Sequence, residues 1–321
     1  MLSSFRASLV VFSFSALVLV SAGSYGLTDF IEGQSFYDAF EWETLDDPTH
    51  GKVNYVDAET SYYNNLTYAS QDTFILRADY KSVVPPQSRG RDSVRIVSKS
   101  TFMEHVAVFD VRHMPEGCGT WPAIWEVHGD NWPEGGEVDI LEGVNDSGPN
   151  AATLHTTPGC SMPGNAGQTG YFTQFDCNYE VNGNTGCSAR SDNPNSYGPN
   201  FNRAGGGWYV LERTETFMKI WFWERYNPSV PASVRDYSED IDTSNWGAPF
   251  AYFPSNSCDM RSKFQDHSII INLTFCGDWA GGAYGQSGCP SSCEDFVMNN
   301  PHAFTNAFFD FGSIRVYQPY E

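Results

Sequence analysis

Residues 135–143 read Gly135-Gly136-Glu137-Val138-Asp139-Ile140-Leu141-Glu142-Gly143, a β-prone apolar run broken by three acids and closed by glycine at both ends. In a regular strand side chains alternate, so Glu137 and Asp139 share one face. Glu142, five residues from Glu137, falls on the other. An unpaired carboxylate driven toward a core costs several kcal/mol or stays protonated. One extra residue at Ile140-Leu141 restores the parity, so the stretch predicts a bulged strand with all three acids on one face.

Around this strand the chain repeats short alternating segments between turn clusters. They include 73–79, 93–98, 105–111, 151–157, 268–275 and 309–317, and a hairpin is predicted from Trp208–Arg213 and Thr216–Trp223. The 29 Gly and 18 Pro, with no long Ala/Leu/Glu/Lys-rich stretch, argue against a helical bundle. The expectation is an all-β sandwich of two antiparallel sheets. Residues 182–207, rich in Gly, Asn, Ser and Pro, read as a long surface loop. With no interdomain linker in sight, residues 23–321 are expected to form one domain.

Of 321 residues, 18 are Lys or Arg and 39 Asp or Glu, a formal charge of −21 that repels phosphate backbones and excludes nucleic acid as a partner. Apolar residues make up 40% and aromatics 15%, enough for a folded core. Residues 1–22 carry Arg6, the apolar run Leu9–Val20 and the small-residue pattern Val20-Ser21-Ala22, which predicts a cleaved secretory leader and no membrane anchor. Eight cysteines, at 118, 160, 177, 187, 258, 276, 289 and 293, suit an oxidising compartment and up to four disulfides of unassigned pairing. They lack the C-x-x-C pairs of a zinc site, and no metal ligand is named from the sequence. Asn65, Asn145 and Asn272 open glycosylation sequons, usable where exposed.

Three like charges on one face raise the pKa of at least one of them, so a neutral acid and an ionised carboxylate can coexist near neutral pH. Glycoside hydrolysis needs that division. The plain alternative is a solvated acidic face or a calcium site. Trp121, Trp125 and Trp132 precede the acids closely, and flat indole faces pack on the C–H faces of sugar rings. Trp132, in a Pro/Gly/Asn loop, and Trp279, in a Gly-rich one, are expected to be exposed. Trp121 is balanced between core and cleft, and Trp42, Trp208, Trp221, Trp223 and Trp246 are assigned to core or rim. His155 is expected on a neighbouring antiparallel strand beside Glu137 and Asp139, placed to orient or tune a carboxylate.

At these residues the chain resembles glycoside hydrolase family 16, and within it the secreted fungal laminarinases, the endo-1,3(4)-β-glucanases. The likeness runs through Asp47-Pro-Thr-His-Gly51, Arg112 to Trp125, the Glu-x-Asp-x-x-Glu strand, Leu154 to Cys160 and Ile314-Arg-Val-Tyr317. It implies a β-jelly-roll with a concave glycan cleft and retaining hydrolysis of β-1,3 and mixed β-1,3/1,4 linkages. By position Glu137 matches the nucleophile, Glu142 the general acid/base and Asp139 the acid between them. Trp125, Trp132, His155 and Trp279 match cleft residues. No redox cofactor or catalytic metal is required, the partner is a β-1,3-glucan, and the protein is expected to act outside the cell as a monomer. A transglycosylase and a non-catalytic glucan-recognition protein are the rival functions.

Overall fold

The computed structural model describes residues 23–129 and 131–320, so the expected leader over 1–22 lies outside the described residues. Two large antiparallel sheets face one another as a β-jelly-roll. The front sheet runs, edge to edge, through Tyr171–Gln174, Cys187–Arg190, Ala151–His155, Glu137–Glu142, Thr120–Val127, His267–Phe275, Arg95–Phe102 and Phe40–Trp42. The back sheet runs through Asp240–Asp242, Ser24–Ile31, Phe308–Pro319, His105–His113, Gly207–Arg213, Phe217–Glu224 and Ala251–Pro254, with Thr67–Ala69 and Phe74–Arg77 joined to it at Phe308–Pro319.

Strand alternation sorts side chains into three layers. Between the sheets Ile124, Val138, Ile140, Leu141, Leu154, Ile269 and Ile271 from the front meet Phe109, Tyr209, Leu211, Ile220 and Phe311 from the back. The predicted hairpin forms with Trp208 opposite Trp223 and Val210 opposite Trp221. These four point away from the main core. They are buried under the segment that carries Val230, Val234, Ile241 and Trp246. Among the described residues the outer face of the front sheet is accessible in part, with Trp132 exposed and Trp121, Trp125, Glu137 and Glu142 half-buried, and there the polar residues of the carboxylate strand gather.

Residues 182–207 depart from the surface-loop expectation. Cys187–Arg190 is a strand between Ala151–His155 and Tyr171–Gln174, and Gly198–Arg203 is a helix whose Phe201, with the preceding Tyr197, is buried. The four-residue strand is too short and too polar to show a period of two in the sequence, and tertiary pairing decides it. All eight cysteines pair: Cys118–Cys289, Cys160–Cys258, Cys177–Cys187 and Cys276–Cys293. Two of the expected glycosylation sites are corrected by burial. Asn145 donates its Nδ2 to Ala280 O at 2.8 Å and Asn272 donates its Nδ2 to Tyr55 Oη at 3.1 Å, so neither amide is free to carry a glycan. Asn65 is exposed.

Candidate active site

The carboxylate strand enters through Gly135 and Gly136, both with left-handed φ (+82° and +77°). A Cβ on Gly136 would lie 2.4 Å from the Phe264 ring, so only glycine lets the turn sit against the neighbouring segment. Gly135 O accepts from Gln265 N at 3.0 Å and lies 2.6 Å from His267 Nε2, which fixes where Glu137 begins.

The predicted bulge is present. Against Thr120–Val127, Asp139 faces Trp125 while Leu141 faces Ile124, and Ile140 is the extra residue. Ile140 and Leu141 are both fully buried, and Glu142 rejoins Glu137 and Asp139 on the outer face. Buried Asn150 repairs the interrupted ladder: its Oδ1 accepts from Glu142 N at 2.8 Å and its Nδ2 donates to Ile140 O at 2.9 Å.

Each glutamate receives an indole. Trp132 Nε1 donates to Glu137 Oε2 at 2.7 Å, and Trp121 Nε1 donates to Glu142 Oε1 at 2.8 Å. His155 stands directly opposite Glu137 in the strand pair, with Nε2 3.5 Å from Asp139 Oδ2 and 3.9 Å from Glu137 Oε1. Its Nδ1 is 2.9 Å from Asn184 Oδ1, on a turn closed by the Cys177–Cys187 disulfide. Trp125 donates its Nε1 to Asn272 Oδ1 at 2.8 Å and lies under the Arg95 guanidinium, 5.0 Å from the ring centre. Trp279 meets Trp121 edge to face at 5.6 Å, and Trp132, 40% exposed, meets Tyr179 at 5.4 Å. All the acids, indoles and the histidine picked out from the sequence thus lie on one open face.

Four contributors escaped that reading, Arg95, Asn184, Asn272 as a partner of Trp125, and Tyr179, and Trp121 was left undecided between core and cleft. Trp121 had a signal, since it sits four residues before Trp125 on the same strand and therefore on the same face. Asn184 and Tyr179 arrive on loops that no local pattern places.

Burial sets the electrostatics. It pushes both Glu137 and Glu142 up to about 7, against the opposing effects of the Trp132 and Trp121 N–H groups. The nearby Arg95 charge favours ionised Glu137; at Glu142 a positive charge on His155 favours the ionised form, and the negative charge of Glu137, a smaller influence, favours the protonated one. Asp139, only 2% exposed, is raised well above the usual carboxylate range by burial and then by Glu142 and Glu137. Burial lowers His155, which is therefore a neutral imidazole near pH 7. The arrangement can hold one glutamate charged and the other protonated across an open, indole-lined face, the requirement of two-carboxylate glycoside chemistry.

Known proteins are similar to this chain over most of its length. A probable endo-1,3(4)-β-glucanase of Aspergillus fumigatus is 40% identical over 318 residues, 95% of this chain and 47% of the relative. The chain spans about half the length of most of the curated relatives it matches at this level, and 70% of a probable glycosidase of Schizosaccharomyces pombe. GH16 laminarinase 16A of Phanerochaete chrysosporium, solved with β-glucans in donor and acceptor sites, is 54% identical with a TM-score of 0.91, covering 92% of this chain and all of that one. An elongating GH family 16 β-1,3-glucosyltransferase is 36% identical with a TM-score of 0.85, covering 91% of this chain and 99% of that one. The family description "XgeA-like, catalytic GH16 domain" matches residues 40–317, and the chain belongs to that family.

Proposed function

We propose that this chain is a secreted endo-1,3(4)-β-glucanase of the laminarinase type, a single catalytic domain over 23–321 that acts as a monomer outside the cell on internal β-1,3 and mixed β-1,3/1,4 linkages. The observation that carries the reading is the bulged strand, which turns Glu137, Asp139 and Glu142 to one open face and gives each glutamate its own indole N–H. The pairing of all eight cysteines supports an oxidising compartment, and no helix among the described residues is long and apolar enough to cross a membrane.

The reaction follows from the charge division. Glu142 gives its proton to the glycosidic oxygen as that bond breaks, and ionised Glu137 attacks the anomeric carbon to form a glycosyl-enzyme ester. Glu142, now ionised, takes a proton from water, whose oxygen displaces Glu137 and leaves the product with its original configuration. Protonated Asp139 keeps a second negative charge from building beside Glu137, with His155 Nε2 3.5 Å from its Oδ2. Trp125, Trp132 and Trp279 offer faces for successive glucose rings.

Incubation with laminarin under NMR observation tests this. Early β-anomer oligosaccharides, absent with Glu137→Gln, are expected; α-anomers first, or a Glu137→Gln rate near the native one, overturn it. Glucan binding without cleavage would indicate a recognition protein. The likeness to a β-1,3-glucosyltransferase favours transglycosylation as a second reading, because the same ester can be opened by a sugar hydroxyl. Products longer than the starting oligosaccharide would identify that route.

A further inference from the structure

We propose that Glu137, Asp139 and His155 form a binding site for a divalent transition ion of the zinc class, and that its occupancy switches off the glucan chemistry. The inhibitory half rests on the function proposed above; the binding half does not.

Glu137 and His155 face each other across the strand pair and Asp139 lies two residues along on the same face, so one donor atom from each residue lies within 4.8 Å of the other two. The separations from His155 Nε2 are 3.5 Å to Asp139 Oδ2 and 3.9 Å to Glu137 Oε1. Ligands about 2.1 Å from a tetrahedral zinc ion stand about 3.4 Å apart, so the two separations from His155 are close to those of bound ligands, and the two carboxylate oxygens, within 4.8 Å of one another, close on the ion by side-chain rotation. His155 is already set for ligation. Asn184 Oδ1 only accepts, so it holds the ring hydrogen on Nδ1 and leaves the Nε2 lone pair facing the carboxylates, the outer-shell arrangement that orients metal-bound histidines.

A second observation points the same way. Asp139 Oδ2 is buried with no hydrogen-bond partner, and the acceptor face of His155 lies 3.5 Å from it. A cation satisfies all three donor atoms together. One imidazole and two carboxylates suit zinc, copper or nickel, whereas calcium and magnesium favour six or more oxygens, so the chemistry selects a transition ion. Glu137 lies at the open side of the cluster, where the fourth position faces the cleft. A metal bound there engages the Glu137 carboxylate that the proposed reaction uses for attack.

The test is calorimetric titration of chelator-treated protein with zinc chloride. One equivalent is expected to bind, His155→Gln is expected to weaken binding by more than tenfold, and Asn184→Ala by about tenfold, as the loss of an outer-shell partner typically does. His50→Gln should bind as the native protein does, because the exposed His50–Asp278 pair offers only two ligands. Absence of saturable binding, or equal binding by His155→Gln of native circular dichroism, overturns the site. Should His155→Gln misfold, Asn184→Ala decides alone: unweakened binding rejects the proposal. Laminarin hydrolysis unchanged by one equivalent of bound zinc overturns the inhibitory half. Metal-free protein that never cleaves laminarin rejects the glucanase reading, while the calorimetry still judges the site.

Discussion

The outer faces of the two sheets are both rich in tryptophan, yet they use it in opposite ways. Behind the back sheet Trp221 and Trp223 stack at 6.3 Å and Trp246 meets both edge to face, all buried. Their polar atoms are satisfied within the fold or left over: Trp221 Nε1 donates to Gly247 O, Arg225 covers the Trp208 ring, and Trp208 Nε1 has no partner. On the front sheet the indole N–H groups of Trp121, Trp125 and Trp132 are addressed to Glu142, Asn272 and Glu137. The residue type and the strand period are the same. What differs is the cover: the chain folds the segment bearing Val230, Val234 and Trp246 over one face and leaves the other open. An aromatic strand face therefore acquires a role in packing or in binding from the segment that does or does not lie across it.

The largest expected effect lies on the open face. Glu142→Gln should lower kcat/KM on laminarin by about 10³-fold, within the range for loss of a general acid/base, while the thermal midpoint at pH 5 stays near native. A rate within tenfold of native would remove Glu142 from the chemistry and leave the front face merely acidic.

On the covered face the effect moves to stability. Trp223→Ala opens a cavity among Trp221, Trp246 and Val234, and should cost about 3–5 kcal/mol in denaturant unfolding. Its kcat on laminarin should remain native while the protein stays folded. A loss of kcat with unaltered stability would reverse the division between the faces.

A third difference is the dependence on pH. Glu142 rises from an unfolded value of 4.5 to about 7 in the fold, chiefly by burial. A group raised in this way supports the folded state fully below the unfolded value, and that support is lost as pH climbs through about 7. Native protein should lose stability between pH 4.5 and 7 more steeply than Glu142→Gln, and at pH 8 the variant should be the more stable by on the order of 2 kcal/mol. Parallel midpoint-against-pH curves would show that Glu142 carries no such strain. Trp223→Ala should lower the whole curve without changing its slope.

The sequence was informative wherever a local rule had a physical cost behind it. A carboxylate at Glu142 is tolerable only if the strand bulges, so the bulge could be read from parity alone, and the hairpin was legible from two alternating segments flanking a short polar turn. His155 was placed because a short turn must return its strand beside Glu137. Legibility ended where tertiary pairing decided the outcome. Nothing local shows that 187–190 is a strand, that the Asn184 turn reaches His155, or that the amides of Asn145 and Asn272 are already engaged. Trp121 lay between these cases: its period marked the face, but whether that face was open depended on the distant covering segment.

Trp121 also supplies the finest test of the comparison. Its Nε1–H stabilises ionised Glu142, so Trp121→Phe, which keeps the ring against Trp279 and removes the donor, should raise the Glu142 pKa further. The basic limb of the kcat/KM profile, where Glu142 loses the proton it must deliver, should move to higher pH by less than about one unit. The unfolding free energy should change by about 1 kcal/mol or less, since one hydrogen bond is lost and the packing is kept. A matching substitution behind the back sheet, Trp221→Phe, removes a donor to a backbone carbonyl and should leave the profile where it was. If both variants shift the profile equally, the indole N–H groups of the open face have no special address. A shift confined to Trp121→Phe ties that indole to the proton that Glu142 carries.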